Sequence, residues 1–370
     1  MKVLVAGDFC PCCRVADLFE REDYGLVLDE VRCLTTEVDY SIVNLECPVV
    51  SGDIRPIEKH GPNLSCSNYG VKALKYSGFD CVTLANNHFL DFGEMGVQET
   101  IDALKVQGFD YVGGGLNIAE ASRILYKEIG NLRIAIINCC EHEFSIATKD
   151  TAGSNPLNPI MQFYAIKEAR NNADRVLVIV HGGHEHFRLP SPRMIETYRF
   201  FIDAGADAVV NHHQHCFSGY ESYKGKPIFY GLGNFCFDDE RNFSEKWTVG
   251  YAVSLDFSVE APIFSLHPYI QCAKKPSVVI LPNNALSEKI KELNAILSDH
   301  TLLSKLVNEY YDSCQVQYSS VFEPFFNRYY LAAKKRGLVP SLVSKKRKLL
   351  AADYVLCESH KDKLMYWLEK

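Results

Sequence analysis

The stretch LANNHFLD, residues 84–91, sets two side-chain amides against an imidazole, with a carboxylate three residues later. Four more polar clusters of this kind punctuate the chain. GDF supplies Asp8, and NLE supplies Asn44 and Glu46. HGGHEH supplies His181, His184, Glu185 and His186, and NHHQH supplies His212, His213 and His215. Carboxylates, imidazoles and a neutral amide oxygen are ligands that Mn, Fe and Zn accept. Two such ions about 3.5–4 Å apart can clamp the attacking and leaving oxygens of a displacement at phosphorus. A pair of dications needs a shared carboxylate, and Glu46, the single carboxylate on the central strand, suits the bridging place. Asn87 can ligate without adding negative charge. His88, beside it, can bind the transferring group or protonate the leaving oxygen.

Each cluster also has an ordinary explanation. Gly-Asp after a strand is a common turn. His-x-His at a strand end is more often packing than metal, and Asn-Asn-His can cap a helix starting near Gly93. The joint pattern decides, because all five sets fall where a strand meets a loop. In an open α/β sheet, ligands bind outside the carboxyl ends of the strands.

The elements that must position these groups alternate along the chain. Short β-branched runs at 2–7, 40–46, 79–86, 109–115, 132–139, 175–183, 206–213 and 227–233 read as strands. Amphipathic stretches such as 67–78 and 96–108, each closed by Gly, read as helices between them. That alternation predicts a layered α/β domain with helices covering buried sheets. Runs at 251–259 and 261–271 read as antiparallel strands finishing a sheet edge. Beyond them the pattern turns helical at 287–314, about 320–337 and 345–369. The expected division is an α/β catalytic domain over 1–284 and a helical extension over 285–370.

At 370 residues, 47% hydrophobic and 23% charged, the chain has the composition of a globular protein. Its net charge of −7 argues against a nucleic-acid partner, since no domain-wide basic surface is available. The basic run at 334–348 is short and reads as a solvated helix face with its linker. Neither a signal-peptide pattern nor a run of about 20 apolar residues appears, so the expectation is a cytoplasmic protein with no transmembrane anchor. The 14 cysteines then read as reduced, mostly buried side chains. Cys10 and Cys13 have C-x-x-C spacing, but no second pair completes a structural zinc site.

The order GD, NLE, ANNH-x-x-D, HGG-x-E, HH-x-H, GKPIFY-x-LGNF resembles the bacterial capsule-synthesis family named CapA, or poly-γ-glutamate synthesis proteins, over residues 1–240. That family in turn is similar to the calcineurin-like metallophosphoesterases. The resemblance implies a layered β-sandwich flanked by helices and a centre of two divalent metal ions. Asp8 and His215 would hold the first ion, Asn87, His181 and His213 the second, and Glu46 would bridge them. His88 would take the catalytic histidine's place, with Asp91 fixing it or its loop. Where those enzymes often have Asp-x-His, this chain has Asp8-Phe9-Cys10, so either Cys10 ligates as a thiolate or the first site is weaker. Asn44, Asn86, Glu185, His212 and Asn234 are expected as ligands or as groups that orient them. The implied activity is metal-dependent hydrolysis of a phosphoester or related bond in a small-molecule or polymer-precursor substrate. The alternatives are a non-catalytic accessory of the surface-polymer machinery, or an amide or γ-glutamyl hydrolase or transferase. A homo-oligomer is a further expectation.

Overall fold

The computed structural model describes residues 1–59, 61–320, 327–345, 348 and 351, with backbone alone at 314–320. Four strands open the chain: β1 (Lys2–Cys10), β2 (Tyr40–Leu45), β3 (Cys81–Thr83) and β4 (Asp110–Val112). Next come β5 (Gly114–Gly115), β6 (Leu125–Ile129), β7 (Leu132–Cys140), β8 (Gly153–Ser154), β9 (Arg175–His181) and β10 (Ala208–His212). The series ends with β11 (Tyr220–Tyr223), β12 (Lys226–Phe229), β13 (Asn234–Phe237), β14 (Val249–Asp256), β15 (Ile263–Gln271) and β16 (Val278–Ile280).

Two sheets carry the architecture. One runs β16-β15-β14-β1-β2-β3-β4, with β13 also pairing β1. The other runs β11-β12-β10-β9-β7-β6. In the first, β1 to β4 are parallel and β14 to β16 antiparallel; in the second, the central strands are parallel and the edges β11 and β6 antiparallel. Strand β1 shows why its run Val3–Ala6 is apolar. Val3 and Val5 join Ile134, Ile136, Leu177, Ile179 and Val210 in one buried cluster between the sheets. Leu4 and Ala6, pointing the other way, pack with Val71, Leu74, Val97 and Ile101 of two helices. A strand covered on both faces has no polar position to spare. Each such side chain contributes about 1.5–3 kcal/mol on full burial.

The helix Gly93–Val106 places Val97, Ile101 and Leu104 on one buried face, the spacing a sheet-covering helix needs. Helices Pro159–Asn172 and Pro192–Ala204 cover the second sheet against β7, β9 and β10. The chain therefore forms the layered α/β arrangement that its strand pattern predicts, with the two facing sheets and flanking helices that the family resemblance implies.

Several elements lie outside the apolar runs. Strands β6 and β11 are half-exposed edges whose polar residues break the pattern. The run at 109–115 splits, because Gly113 at φ 93° turns the chain from β4 into β5. By its contacts the chain forms two compact units, Met1–Asp299 and His300–Lys370. Leu286 and Ile290 belong to the apolar cluster between the sheets, so helix Ser287–Ser298 stays with the first unit. In the second unit, helices His300–Ser320 and Arg328–Lys335 are described. The helix expected over 345–369 falls almost wholly outside the described residues. All twelve described cysteines are free, and nine are buried. Among the described residues no helix is long and apolar enough to cross a membrane.

Candidate metal centre

Strand pairing brings the polar clusters together. Asp8 on β1 sits opposite Asn44 on β2 and opposite Asn234 on β13, while His181 on β9 sits opposite His212 on β10. The approach of β13 depends on glycine. A Cβ on Gly7 would come within 1.9 Å of the Gly233 carbonyl oxygen, and Gly233 itself has φ +80°. The GLGNF segment is thus a glycine turn that seats Asn234 beside the centre. The NHHQH loop bends through left-handed backbone at His213 (φ 89°) and His215 (φ 54°). Such φ values are uncommon without glycine and cluster at functional sites.

Two groups of donor atoms result, and they share one carboxylate. Glu46, His181 and His213 form one; Asp8, Glu46 and His215 form the other. Within each group the donor atoms lie within 4.8 Å of one another. The Nε2 atoms of His181 and His215 lie 3.6 and 3.7 Å from Oε1 of Glu46. Asn87 Oδ1 joins the first group, 3.0 Å from His181 Nε2, which is itself 3.1 Å from His213 Nδ1.

Glu46 is the informative member. It is fully buried, and neither carboxylate oxygen has a hydrogen-bond partner. A buried polar atom without a partner ordinarily costs about 1–3 kcal/mol, and more when charged. Burial, followed by the charges of Asp8, Glu185, Glu143 and Asp91, raises its pKa well above the usual carboxylate range. Burial also pushes Asp8 up to about 7, against hydrogen bonds from Asn44 and the His213 N–H. It drives His213 down to about 3, and His181 and His215 well below their ordinary value. The imidazoles are therefore neutral at neutral pH, as ligands must be. Neutral imidazoles, two buried carboxylates and an amide oxygen fit a pair of borderline divalent cations.

Other side chains hold the donors in place. His215 Nδ1 lies 2.9 Å from Asn234 Oδ1, which directs Nε2 toward Glu46. Asn44 donates to Asp8 Oδ1 at 2.7 Å. Asn86 donates to Leu45 O and accepts from the His88 N–H, which fixes the turn. Ser145 Oγ donates to Asn87 O at 2.6 Å. His88 Nδ1 is 2.7 Å from Asp91 Oδ2, in a buried pair.

Three expected candidates stand apart from both donor groups. Cys10 lies in the apolar layer under the helices, close to the Cys12 and Cys47 thiols, and belongs to neither donor group. An extra β1 residue between Val5 and Asp8, set against β2, takes Asp8 off the apolar face that Leu4, Ala6 and Cys10 share. His212 faces β1, with Nε2 3.0 Å from Ala6 O, and burial holds its pKa down at about 4. Glu185 is in neither donor group, although its charge is felt at Glu46. Conversely, two residues at the site escaped the sequence reading. Glu143 accepts from Asn87 Nδ2 at 3.3 Å and lies 3.8 Å from His213 Nε2. It follows strand β7, so the strand-end argument used for the other clusters reaches it too. Lys59, which pairs with Asp91, sits in a loop that carries no such signal.

Comparison with known proteins gives the lineage. The chain is 35% identical over 246 residues to the capsule biosynthesis protein CapA of Bacillus anthracis, covering 64% of this chain and 60% of that one. It is 32% identical over 236 residues to the PGA biosynthesis protein CapA of Bacillus subtilis, covering 63% and 62%. A third relative, from Mycobacterium tuberculosis, is 30% identical over 224 residues, 55% of this chain and 57% of its own. It is named "Probable polyglutamine synthesis accessory protein". The alignments thus span about three fifths of these relatives. Among solved structures, a phosphatase from Mycoplasma pneumoniae matches with a TM-score of 0.45 at 17% identity, over 74% of this chain and 95% of its own. A 5'-nucleotidase from Candida albicans matches with 0.41 at 10% identity, over 85% and 57%. Both likenesses are too distant to bear on chemistry. The model of the bacterial capsule synthesis protein family PGA_cap matches residues 2–239, and the chain belongs to that family.

Proposed function

We propose that this chain is a metal-dependent hydrolase that cleaves a phosphoester or related bond in a precursor of a capsule or other surface polymer. One observation carries the reading: the buried Glu46 carboxylate lacks any hydrogen-bond partner and is shared by two groups of metal donors. Asp8, Glu46 and His215 would hold one divalent ion (Mn, Fe or Zn), and Glu46, Asn87, His181 and His213 the other. When bound, such a pair supplies Lewis acidity and a nucleophile from water at neutral pH. Asn44 and Asn234 orient Asp8 and His215. His88, held through Nδ1 by Asp91, delivers a proton to the leaving oxygen. The relatives named for capsule and PGA biosynthesis supply the surface-polymer setting.

A panel of phosphomonoesters, phosphodiesters, nucleotide sugars and γ-glutamyl peptides, offered to metal-reconstituted protein, tests the proposal. Turnover is expected on a phosphoester, lowered in His88→Ala with metal retained, and lost together with metal in His213→Ala. Identical behaviour of the two variants contradicts this division of roles.

A second reading has its own observation. Glu143, whose side chain is 38% exposed, and the exposed Glu185 put negative charge near the donors, where a phosphate dianion is repelled. The same side chains would then serve amide or γ-glutamyl cleavage, and the peptide arm of the panel reports it. A purely accessory role predicts no turnover in any arm.

A further inference from the structure

The loop at 51–64, between β2 and the helix Asn68–Tyr76, folds back over one residue, Asp91. Ile57 N–H donates to Asp91 O at 2.9 Å, and Asn63 Nδ2 donates to the same carbonyl at 3.0 Å. Leu64 N–H donates to the carboxylate oxygen Oδ2 at 2.7 Å. Lys59 Nζ donates to the other oxygen, Oδ1. The Lys59 side chain is 3% exposed and Asp91 fully buried. A lysine is almost never buried this far unless it is paired, because desolvating an ammonium is costly. The loop therefore spends an expensive residue on Asp91.

Nζ of Lys59 also lies 3.1 Å from His88 Nδ1, and the same Nδ1 lies 2.7 Å from Asp91 Oδ2. The three groups lie in a triangle in which the carboxylate is the common acceptor: Nδ1–H of His88 donates to Oδ2 and the Lys59 ammonium donates to Oδ1. A carboxylate with its second oxygen free could turn away from the imidazole. With Oδ1 tied to Lys59 and Oδ2 tied to the Leu64 N–H, this one cannot. We propose that Lys59 is a positioning residue for His88: it locks the Asp91 carboxylate so that it takes Nδ1–H and leaves Nε2 free for the reacting group. This rests on the hydrolase reading above, in which His88 is the proton donor. His88 stands at the centre, directly after Asn87, whose Oδ1 lies 3.0 Å from His181 Nε2.

A double-mutant cycle on the full-length, metal-reconstituted chain separates positioning from mere charge neutralisation. The variants are Lys59→Met, His88→Ala and the pair, with bis(p-nitrophenyl) phosphate as the probe. Lys59→Met should lower kcat about 10–100-fold with KM and metal content unchanged, the scale on which lost orientation acts. In the His88→Ala background the same change should cost less than about twofold, because coupled residues are not additive. Wild-type kcat in Lys59→Met, or an equal loss in both backgrounds, overturns the proposal. Should the wild type leave this probe intact, the cycle is run on the phosphoester of the panel that it does turn over; if it turns over none, the phosphoesterase reading falls and a second measurement decides on Lys59. In metal-free protein the ¹⁵N shifts of the His88 imidazole, assigned with His88→Ala, must move in Lys59→Met. Unmoved shifts overturn it.

Discussion

Replacing Asn234 by Ala tests the centre at a residue that need not touch a metal. Asn234 is fully buried, and its Oδ1 is 2.9 Å from Nδ1 of His215. Its Nδ2 donates to Trp247 O at 3.3 Å, a carbonyl that also accepts from Gln271 Nε2 at 2.9 Å. The substitution therefore strands no backbone oxygen. What it removes is the acceptor that sets the His215 ring and its tautomer. Partners of this kind are worth about 10–100-fold in metal affinity, or roughly 1.4–2.7 kcal/mol. The loss should be confined to the ion held by Asp8, Glu46 and His215, because His181, His213 and Asn87 make no bond to Asn234. Titration of Zn²⁺ against a chromophoric chelator should show one weakened site and one of wild-type affinity or better. Asn234→Asp, which keeps an acceptor, should recover most of the loss. Wild-type affinity at both sites in Asn234→Ala, or equal weakening of both, refutes the assignment of His215 and Asn234.

Two further outcomes follow from charge and backbone. Because burial raises Asp8 to about 7 and Glu46 well above its usual range, the metal-free carboxyls hold protons that a cation must displace. Affinity should therefore rise with pH through about 7, with net proton release measured by calorimetry in buffers of different ionisation enthalpy. The imidazoles already titrate far lower and add little to that release. At φ 89°, His213 occupies backbone that costs a residue with a Cβ about 1–2 kcal/mol. Metal-free His213→Gly should then be more stable than His213→Ala by about 1 kcal/mol in urea unfolding, after glycine's entropy cost. The reverse order means that the loop is not strained.

Much of this could be read from the chain because strand and strand end are local signals. Val3 to Ala6 and Val176 to Val180 announce buried strands, and Asp8, Asn44 and His181 lie at or beside the ends of such runs. Asn87 and His213 follow just after theirs. What stayed hidden depends on contacts made across the fold. Cys10 is two residues from Asp8, and the extra β1 residue between Val5 and Asp8 explains why Asp8 leaves the apolar face on which Cys10 stays. Lys59 reaches Asp91 across 32 positions from a loop without regular structure. Leu286 and Ile290 look like the start of a separate helical segment, and only their burial between the sheets assigns them to the first unit. Half-exposed edges such as Tyr220–Tyr223 are silent for the opposite reason: with one side in water they need no apolar run.

The central claim is that Glu46 lies between two metal ions. Crystals of protein reconstituted with Mn²⁺ or Zn²⁺, measured at the metal's absorption edge, test it most directly. Two anomalous peaks about 3.5–4 Å apart, one on each side of the Glu46 carboxylate, are the predicted result. A single peak without contact to Glu46, or none where Asp8, His181, His213 and His215 converge, contradicts it.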